Sequence, residues 1–351
     1  MFSVRSTLRI FLNCLVLVCA CAQQIQCPAM CICTGRRALC DHVIEYDSIL
    51  GPFPDTVVEV KISNSYVKTL GPSITGRNVE TILVDQCSFT VVTTNTFTDL
   101  SKLRSLHIIN SEIGHVNYLA FRNISSRADI LINNTSIESV HERAFNNCSN
   151  LQQLKFEHVF LNYMNTKAIS NVQVNNIIFD NVDIDFLKRN FLSDIPEVKG
   201  LTIKGSTFRT IEADAFSGLV AVERVLINNS SFVDVQGAAL MYLHHVSRLS
   251  FLFQSSNVSC SCRSRDLFVY VHFFPGSVAP SVQCKSEQSR DFEGPLNQID
   301  FRRLCSISGN ISMPSFATPK PSQITPGQVA ATTRPSPTRP SCPAVCRCCR
   351  V

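Results

Sequence analysis

The chain has little of what a catalyst or a nucleic-acid protein needs. No G-x-S-x-G, no phosphate-cradling glycine loop and no H-E-x-x-H occurs in its 351 residues. That removes the commonest sequence marks of a serine hydrolase, a nucleotide-phosphate enzyme and a zinc peptidase. Charge of one sign is also short. There are 32 basic against 27 acidic residues, and setting aside Arg5 and Arg9 leaves 30 against 27. So weak an excess gives no electrostatic ground for binding nucleic acid. Glycine is scarce, at 13 residues, and 45 % of the chain is hydrophobic, which excludes collagen-like and disordered chains. Beyond residue 22 no apolar run reaches the ~20 residues of a membrane-crossing helix. The C-terminus lacks the hydrophobic tail of a lipid-anchor signal. Arg36-Arg37 and Arg302-Arg303 are too short to make a polyanion site. His244-His245 reads as a surface pair and Asp183 with Asp185 as an ordinary acidic pair. No catalytic residue, metal ligand or cofactor is assigned.

What is abundant is cysteine, with 17 residues. Residues 1–22 read as a secretory signal: Arg5 and Arg9, then an apolar stretch to Cys19, then Ala20-Cys21-Ala22 as a small-residue cleavage pattern. The expectation is a chain that is exported and released, with no membrane span. Its removal leaves 14 cysteines in an oxidising compartment. Cys27, Cys31, Cys33 and Cys40 form one cluster, and Cys260, Cys262, Cys284 and Cys305 a second. Zinc is the competing reading of such clusters, but no nearby histidine has ligand spacing. Connectivity stays open, because four cysteines allow three pairings.

Between the clusters the sequence repeats. The pattern apolar-x-x-apolar-x-apolar-x-x-small-x-apolar-x-x-apolar starts at Val57, Val79, Leu103, Arg127, Leu151, Val174, Val198, Val222 and Val246. The steps are 22, 24, 24, 24, 23, 24, 24 and 24 residues. A fixed period in the twenties marks a solenoid, whose units bury their apolar sides only against each other. The alternating apolar pairs, such as Val60 with Ile62 and Leu201 with Ile203, predict short strands with one buried face. Solenoid ends need caps, and both ends here carry a cysteine cluster.

This pattern resembles the extracellular leucine-rich repeat family with typical 24-residue repeats. Residues 27–56 look like its N-terminal cysteine-rich cap, 57–256 like about nine repeats, and 257–305 like its C-terminal cap. The resemblance implies an α/β-type solenoid, a leucine-rich repeat horseshoe with short parallel strands on the concave side and disulfide caps at both ends. It also implies a non-enzymatic role in protein recognition, in adhesion, the extracellular matrix or signalling. The family's usual Asn in the small slot, which satisfies backbone groups of adjacent turns, is replaced by Ser65, Cys87, Ser111, Thr135, Val159, Val182, Ser206, Ser230 and Gln254. Valine has no polar side-chain group, so irregular stacking or ordered water is expected around the fifth and sixth repeats.

In such a geometry the outward strand residues form the recognition surface. One projecting column reads Lys61, Leu83, His107, Leu131, Lys155, Ile178, Thr202, Leu226 and Ser250; its neighbour reads Ser63, Asp85, Ile109, Asn133, Glu157, Asp180, Lys204, Asn228 and Leu252. Aliphatics among them point to a protein interface. Glycosylation sequons occur at Asn123, Asn133, Asn134, Asn147, Asn228, Asn229, Asn257 and Asn310. Glycans on Asn133 and Asn228 would confine binding to the first three repeats or the fifth to seventh. Cys87 and Cys148 fall outside the caps and are expected as buried free thiols. Residues 306–341 read as a Pro/Thr/Ser-rich stalk. Residues 342–351 repeat the spacing of the opening cluster as Cys342-Pro-Ala-Val-Cys346-Arg-Cys348, followed by Cys349. Two explanations compete: a short form of a longer protein with a second array, or cysteines that crosslink chains. The leading function is a secreted protein that binds an extracellular protein ligand. The alternatives are the ectodomain of a membrane receptor and a non-catalytic subunit of a secreted enzyme.

Overall fold

The computed structural model describes residues 27–45, 53–71, 74–75, 78–237, 239–261, 264, 267, 271, 278–285 and 293–299. Residues 1–22, read above as a secretory signal, and Cys262, Cys305, Asn310 and everything after it lie outside them.

The first six coils have three straight edges. The first is the predicted strand, as in Thr81–Asp85 and Ser105–Ile109, with Ile82, Val84, Leu106 and Ile108 turned inward. The second follows at once, as in Ser88–Val92 and Glu112–Val116, burying Phe89, Val92, Ile113 and Val116. The third is two residues long, Phe97–Thr98 in one coil and Phe121–Arg122 in the next. Each edge pairs in parallel with the same edge of its neighbour: Leu106 faces Ile82 and Ile130, Ile113 faces Phe89 and Ile137, and Phe121 faces Phe97 and Phe145. The return segment is therefore strand rather than helix. Among the described residues the α-helix Ala239–Val246 is the exception.

Sharp corners between the edges need a left-handed backbone, which short polar side chains tolerate best. The first corner is held at positive φ by Asn64, Gln86, Asn110, Asn134, His158, Asn181, Gly205, Asn229 and Ser255. Their amides reach across to the next coil: Asn110 N–H donates to Asn133 C=O at 3.0 Å, and Asn181 N–H to Lys204 C=O at 2.8 Å. The third corner repeats the device with Asp99, Asn123, Asn147 and Asn171.

The core between the edges is phenylalanine-rich where the family pattern has leucine. Stacked rings run Phe97, Phe121 and Phe145 with centroids 4.8 and 4.3 Å apart, and Phe156 stacks on Phe179 at 5.4 Å. Parallel pairing sets coils ~4.8 Å apart, so identical rings in consecutive coils stack without repacking.

Two expectations need correction. The small slot at Val159 and Val182 causes no irregular stacking. Both valines are 2 % exposed, and Thr135 pairs with Val159 in register. The reason is directional. A slot serine accepts the N–H of the preceding coil's slot and donates to its own chain: Ser206 Oγ accepts Val182 N–H at 3.1 Å and donates to Lys204 C=O at 2.9 Å. That serves Val182; Val159 is followed by a valine slot and instead keeps its register through the strand pairing of Thr135 with Val159. An irregularity does fall at the start of the fifth and sixth repeats, where the register shifts between Cys148 and Leu151, but not at the valine slots; a second shift lies between Val222 and Arg224.

The second correction concerns the ninth coil. Val246 closes the helix instead of opening a strand. Asn228 pairs with Gln254, a step of 26 residues, where Lys204 to Asn228 takes 24. Leu252, not Ser250, therefore continues the Leu226 column, and Gln254, not Leu252, continues the Asn228 column. The small slot is Ser256, whose Oγ accepts Ser230 N–H at 3.1 Å.

Phe121 sits between two stacked rings and is 1 % exposed. Replacing it by Ala is expected to cost about 3–5 kcal/mol, measured by urea unfolding of the disulfide-intact chain. A cost under ~1 kcal/mol would mean that the ring stack does not carry the core.

Candidate functional site

Edge one presents the sequence-predicted face. Lys61, Leu83, His107, Lys155 and Ile178 fall in one pairing column. Asp85, Ile109, Glu157, Asp180 and Lys204 fall in the adjacent one. All ten point away from the core, and most are half-buried between their neighbours. Lys155 Nζ meets Glu157 Oε1 at 2.7 Å, both only about a fifth exposed at 22 and 23 %. Towards the C-terminal end the face becomes aliphatic, with Ile178, Thr202, Leu226 and Leu252 consecutive in one column. At the other end the array is locked to the N-terminal cap. Ser63 Oγ and Asn64 Nδ2 donate to Asp41 Oδ1 at 2.8 and 2.9 Å. These bonds, with one from His42, hold the Asp41 carboxyl at about 2.

Edge two carries a surface that the sequence reading missed. Phe160, Tyr163 and Phe186 are 42, 41 and 36 % exposed. Tyr163 pairs with Phe186 across neighbouring coils, and their rings stack at 4.9 Å. Lys188 Nζ lies 5.8 Å from the Phe186 centroid and bonds Glu212 Oε1 at 2.8 Å. Asp183 and Asp185 flank the cluster and meet Arg209 at 3.7 and 3.0 Å, so the acidic pair is engaged in ion pairing. The signal was present as aromatics at outward positions of the second strand, but only the first strand had been read for exposure. The His244-His245 pair sits on the helix, where His244 packs edge-on against Phe251 at 5.1 Å.

The sequons sort by corner. Asn133 and Asn228 share one edge-one column. Asn134 and Asn229 hold the first corner and Asn123 and Asn147 the third. Side-chain amides ladder along these corners: Asn134 Nδ2 donates to Asn110 Oδ1 at 2.9 Å, Asn147 Nδ2 to Asn123 Oδ1 at 2.6 Å and Asn123 Nδ2 to Asp99 Oδ1 at 2.9 Å. Asn257 lies on edge two of the ninth coil. The outward positions of edge two before it hold no sequon. A groove of about 770 Å³ follows the first corner from Tyr66 to Phe160.

Cysteines form three disulfides among the described residues: Cys27–Cys33, Cys31–Cys40 and Cys260–Cys284. For these six the zinc reading is excluded, since sulfur bonds to sulfur. Cys87 and Cys148 are free and buried, as expected. Burial pushes the Cys87 thiol up to about 11 and the Cys148 thiol up to about 12. A thiol so far from ionising is a poor nucleophile. Iodoacetamide at pH 8 is therefore expected to leave both unlabelled in the native chain and to label both in denaturant, read by peptide mass mapping. Labelling of native Cys148 at the denatured rate would contradict the buried placement.

Residues 75–199 match the family model of the BspA type leucine rich repeat region, in six copies. A search of curated proteins found no match. Among solved structures, the chain is similar to human 5T4 (Wnt-activated inhibitory factor 1, trophoblast glycoprotein), at 13 % identity and a TM-score of 0.36, covering 80 % of this chain and 99 % of that one. It is similar also to a chain of the octameric complex of Latrophilin 3, Unc5D and FLRT2, at 16 % identity and a TM-score of 0.37, again covering 80 and 99 %. No helix among the described residues is long and apolar enough to cross a membrane. Residues 75–199 are thus leucine-rich repeats, six matched copies whose coils run in register with those on either side and behind a crosslinked cap.

Proposed function

We propose that the chain is a secreted, non-enzymatic protein that recognises an extracellular protein ligand through edge one. The observation that carries this is the pair of outward columns there. Charged and aliphatic side chains stand at fixed ~4.8 Å intervals on a pre-ordered surface, so binding would order little that is not already ordered. Three disulfides support an oxidising compartment. The aliphatic stretch of Ile178, Leu226 and Leu252 supplies apolar area, and Asp180 with Lys204 beside it supplies polar selectivity. Adhesion, matrix organisation and signalling all fit such a surface.

Proximity labelling on cell surfaces with the purified glycosylated chain is expected to enrich one or a few membrane or matrix proteins. Ile178→Asp combined with Leu226→Asp should cut the measured affinity for them at least tenfold, while Val233→Asp on edge two should not. Unchanged affinity of the double variant would remove edge one as the binding face.

A further inference from the structure

We propose that the groove along the first corner seats an N-linked glycan carried by Asn134, with its first sugar laid against the ring of Phe160. The proposal rests on the extracellular reading above, since such glycans are added only to exported chains. In the attachment the Asn134 Nδ2 attacks C1 of an oligosaccharide held on a lipid diphosphate. The C1–N bond forms, the C1–O bond to the diphosphate breaks, one amide proton is lost and the lipid diphosphate leaves.

The register builds the seat. One residue per coil lines its edge-two wall: Tyr66, Ser88, Glu112, Ser136 and Phe160, each paired with the next. Exposed aromatics stand at Tyr66, 49 % exposed and one coil in from Ile44 at the N-terminal end, and at Phe160, 42 % exposed at the other end, with smaller or flexible side chains between the two rings. Four coil steps of ~4.8 Å give a trough ~19 Å long. Asn134 lies inside it, exposed and at φ 47°, and its sequon is Asn134-Thr135-Ser136. Phe160 is the next coil's partner of Ser136, two residues from the attachment point.

The chemistry fits a pyranose. An aromatic face carries partial negative charge, and the C–H bonds on one side of a sugar ring carry partial positive charge. Along the opposite wall Gln86 and Asn110 offer amide donors and acceptors to hydroxyl and N-acetyl groups. A free sugar would gain little from so few contacts. A tethered one is present at an effective concentration on the order of millimolar, so weak contacts suffice to hold it. Attachment uses one of the two amide hydrogens on Asn134 Nδ2 and leaves the other for Asn110 Oδ1, now 2.9 Å away. Asn229 is the internal control. It holds the same corner, but the residue facing it from the next coil is Asn257, partner of Ser231, and not an aromatic. A glycan lying in the groove also leaves edge one open, which one on Asn133 would not.

The test uses full-length chain secreted from animal cells. Ser136→Ala deletes the Asn134 sequon while keeping Asn134 in the ladder and the Asn133 sequon intact. Ser231→Ala does the same for Asn229. Glycopeptide mapping should find Asn134 occupied, and NMR should show contacts between the Phe160 ring and the first sugar's C–H protons. Ser136→Ala is expected to lower the melting temperature by about 2–4 °C, and by less than half as much in a Phe160→Ser background. Ser231→Ala should shift it equally in both. Asn134 found unmodified while other sequons are occupied overturns the glycan seat and leaves the extracellular reading standing. A retained chain with no sequon modified overturns both. Occupancy without ring contacts, or equal Ser136→Ala shifts in both backgrounds, overturns the seat alone.

Discussion

A coil of about two dozen residues cannot bury its own apolar side chains, and every other feature of this chain follows from that constraint. The inward residues of one coil, such as Leu103, Leu106, Ile108, Ile113, Val116 and Phe121, are at most 2 % exposed because the coils before and after lie on top of them. Stacking demands equal coil shape, hence left-handed corners at matched places, the second of them held by Asn95, Leu119, Arg143, Lys167, Asn190 and Asp214. A corner held by a residue with a Cβ costs about 1–2 kcal/mol, and full burial of one large apolar side chain is worth about 1.5–3 kcal/mol. Each coil buries several such side chains for its three corners, so the bend is sustained by the core it encloses. At the ends no next coil exists, and there two crosslinks, Cys27–Cys33 and Cys31–Cys40, hold the N-terminal cap against Val60 and Ile62 through the strand Arg37–Asp41.

The corners show a second economy of structure. Asparagine tolerates positive φ, and its side chain adds a ladder between coils that glycine could not. Asp99, Asn123, Asn147 and Asn171 are joined in this way, each amide donating to the rung before. Four sequon asparagines, 123, 134, 147 and 229, are therefore corner residues first. Their recurrence needs no appeal to glycosylation, which makes the sequon at a corner weaker evidence of a glycan than the same three residues in a loop. A nearby surface that would hold the sugar is what separates the two roles.

The period, the number of coils and the direction of the first strand were legible in the sequence because burial alternates strictly there, and alternation survives the exchange of Leu for Ile, Val or Phe. The second and third edges were less legible. Phe89 and Val92 are buried three residues apart, as are Ile113 and Val116, so no two-residue alternation marks them as strand. The ninth coil was misread by two residues because the period alone cannot reveal a helix that lengthens one turn. Disulfide pairing needed coordinates, since spacing admits each connectivity equally. The edge-two aromatics were hidden for a different reason. Tyr163 and Phe186 sit one 23-residue step apart, a step the sequence shows, but their outward placement follows only once the segment after the small slot is known to be strand.

A three-edged coil offers more than one surface, and the two described here differ in chemistry. Edge one mixes ion pairs with aliphatics, and its neighbouring corner carries sequons. Edge two concentrates Phe160, Tyr163 and Phe186 beside the Lys188–Glu212 and Arg209–Asp185 pairs. Aromatic clusters of this kind are costly to leave in water, whereas scattered aliphatics are ordinary surface. Part of that cost is relieved within the chain: Tyr163 stacks on Phe186, and Lys188 lies over the Phe186 ring. Among the described residues Phe160 stacks on no other ring, and it borders the groove instead. The unevenness along one edge, two rings covered by each other and a third turned towards the corner, is what distinguishes the groove end from the rest of the aromatic surface.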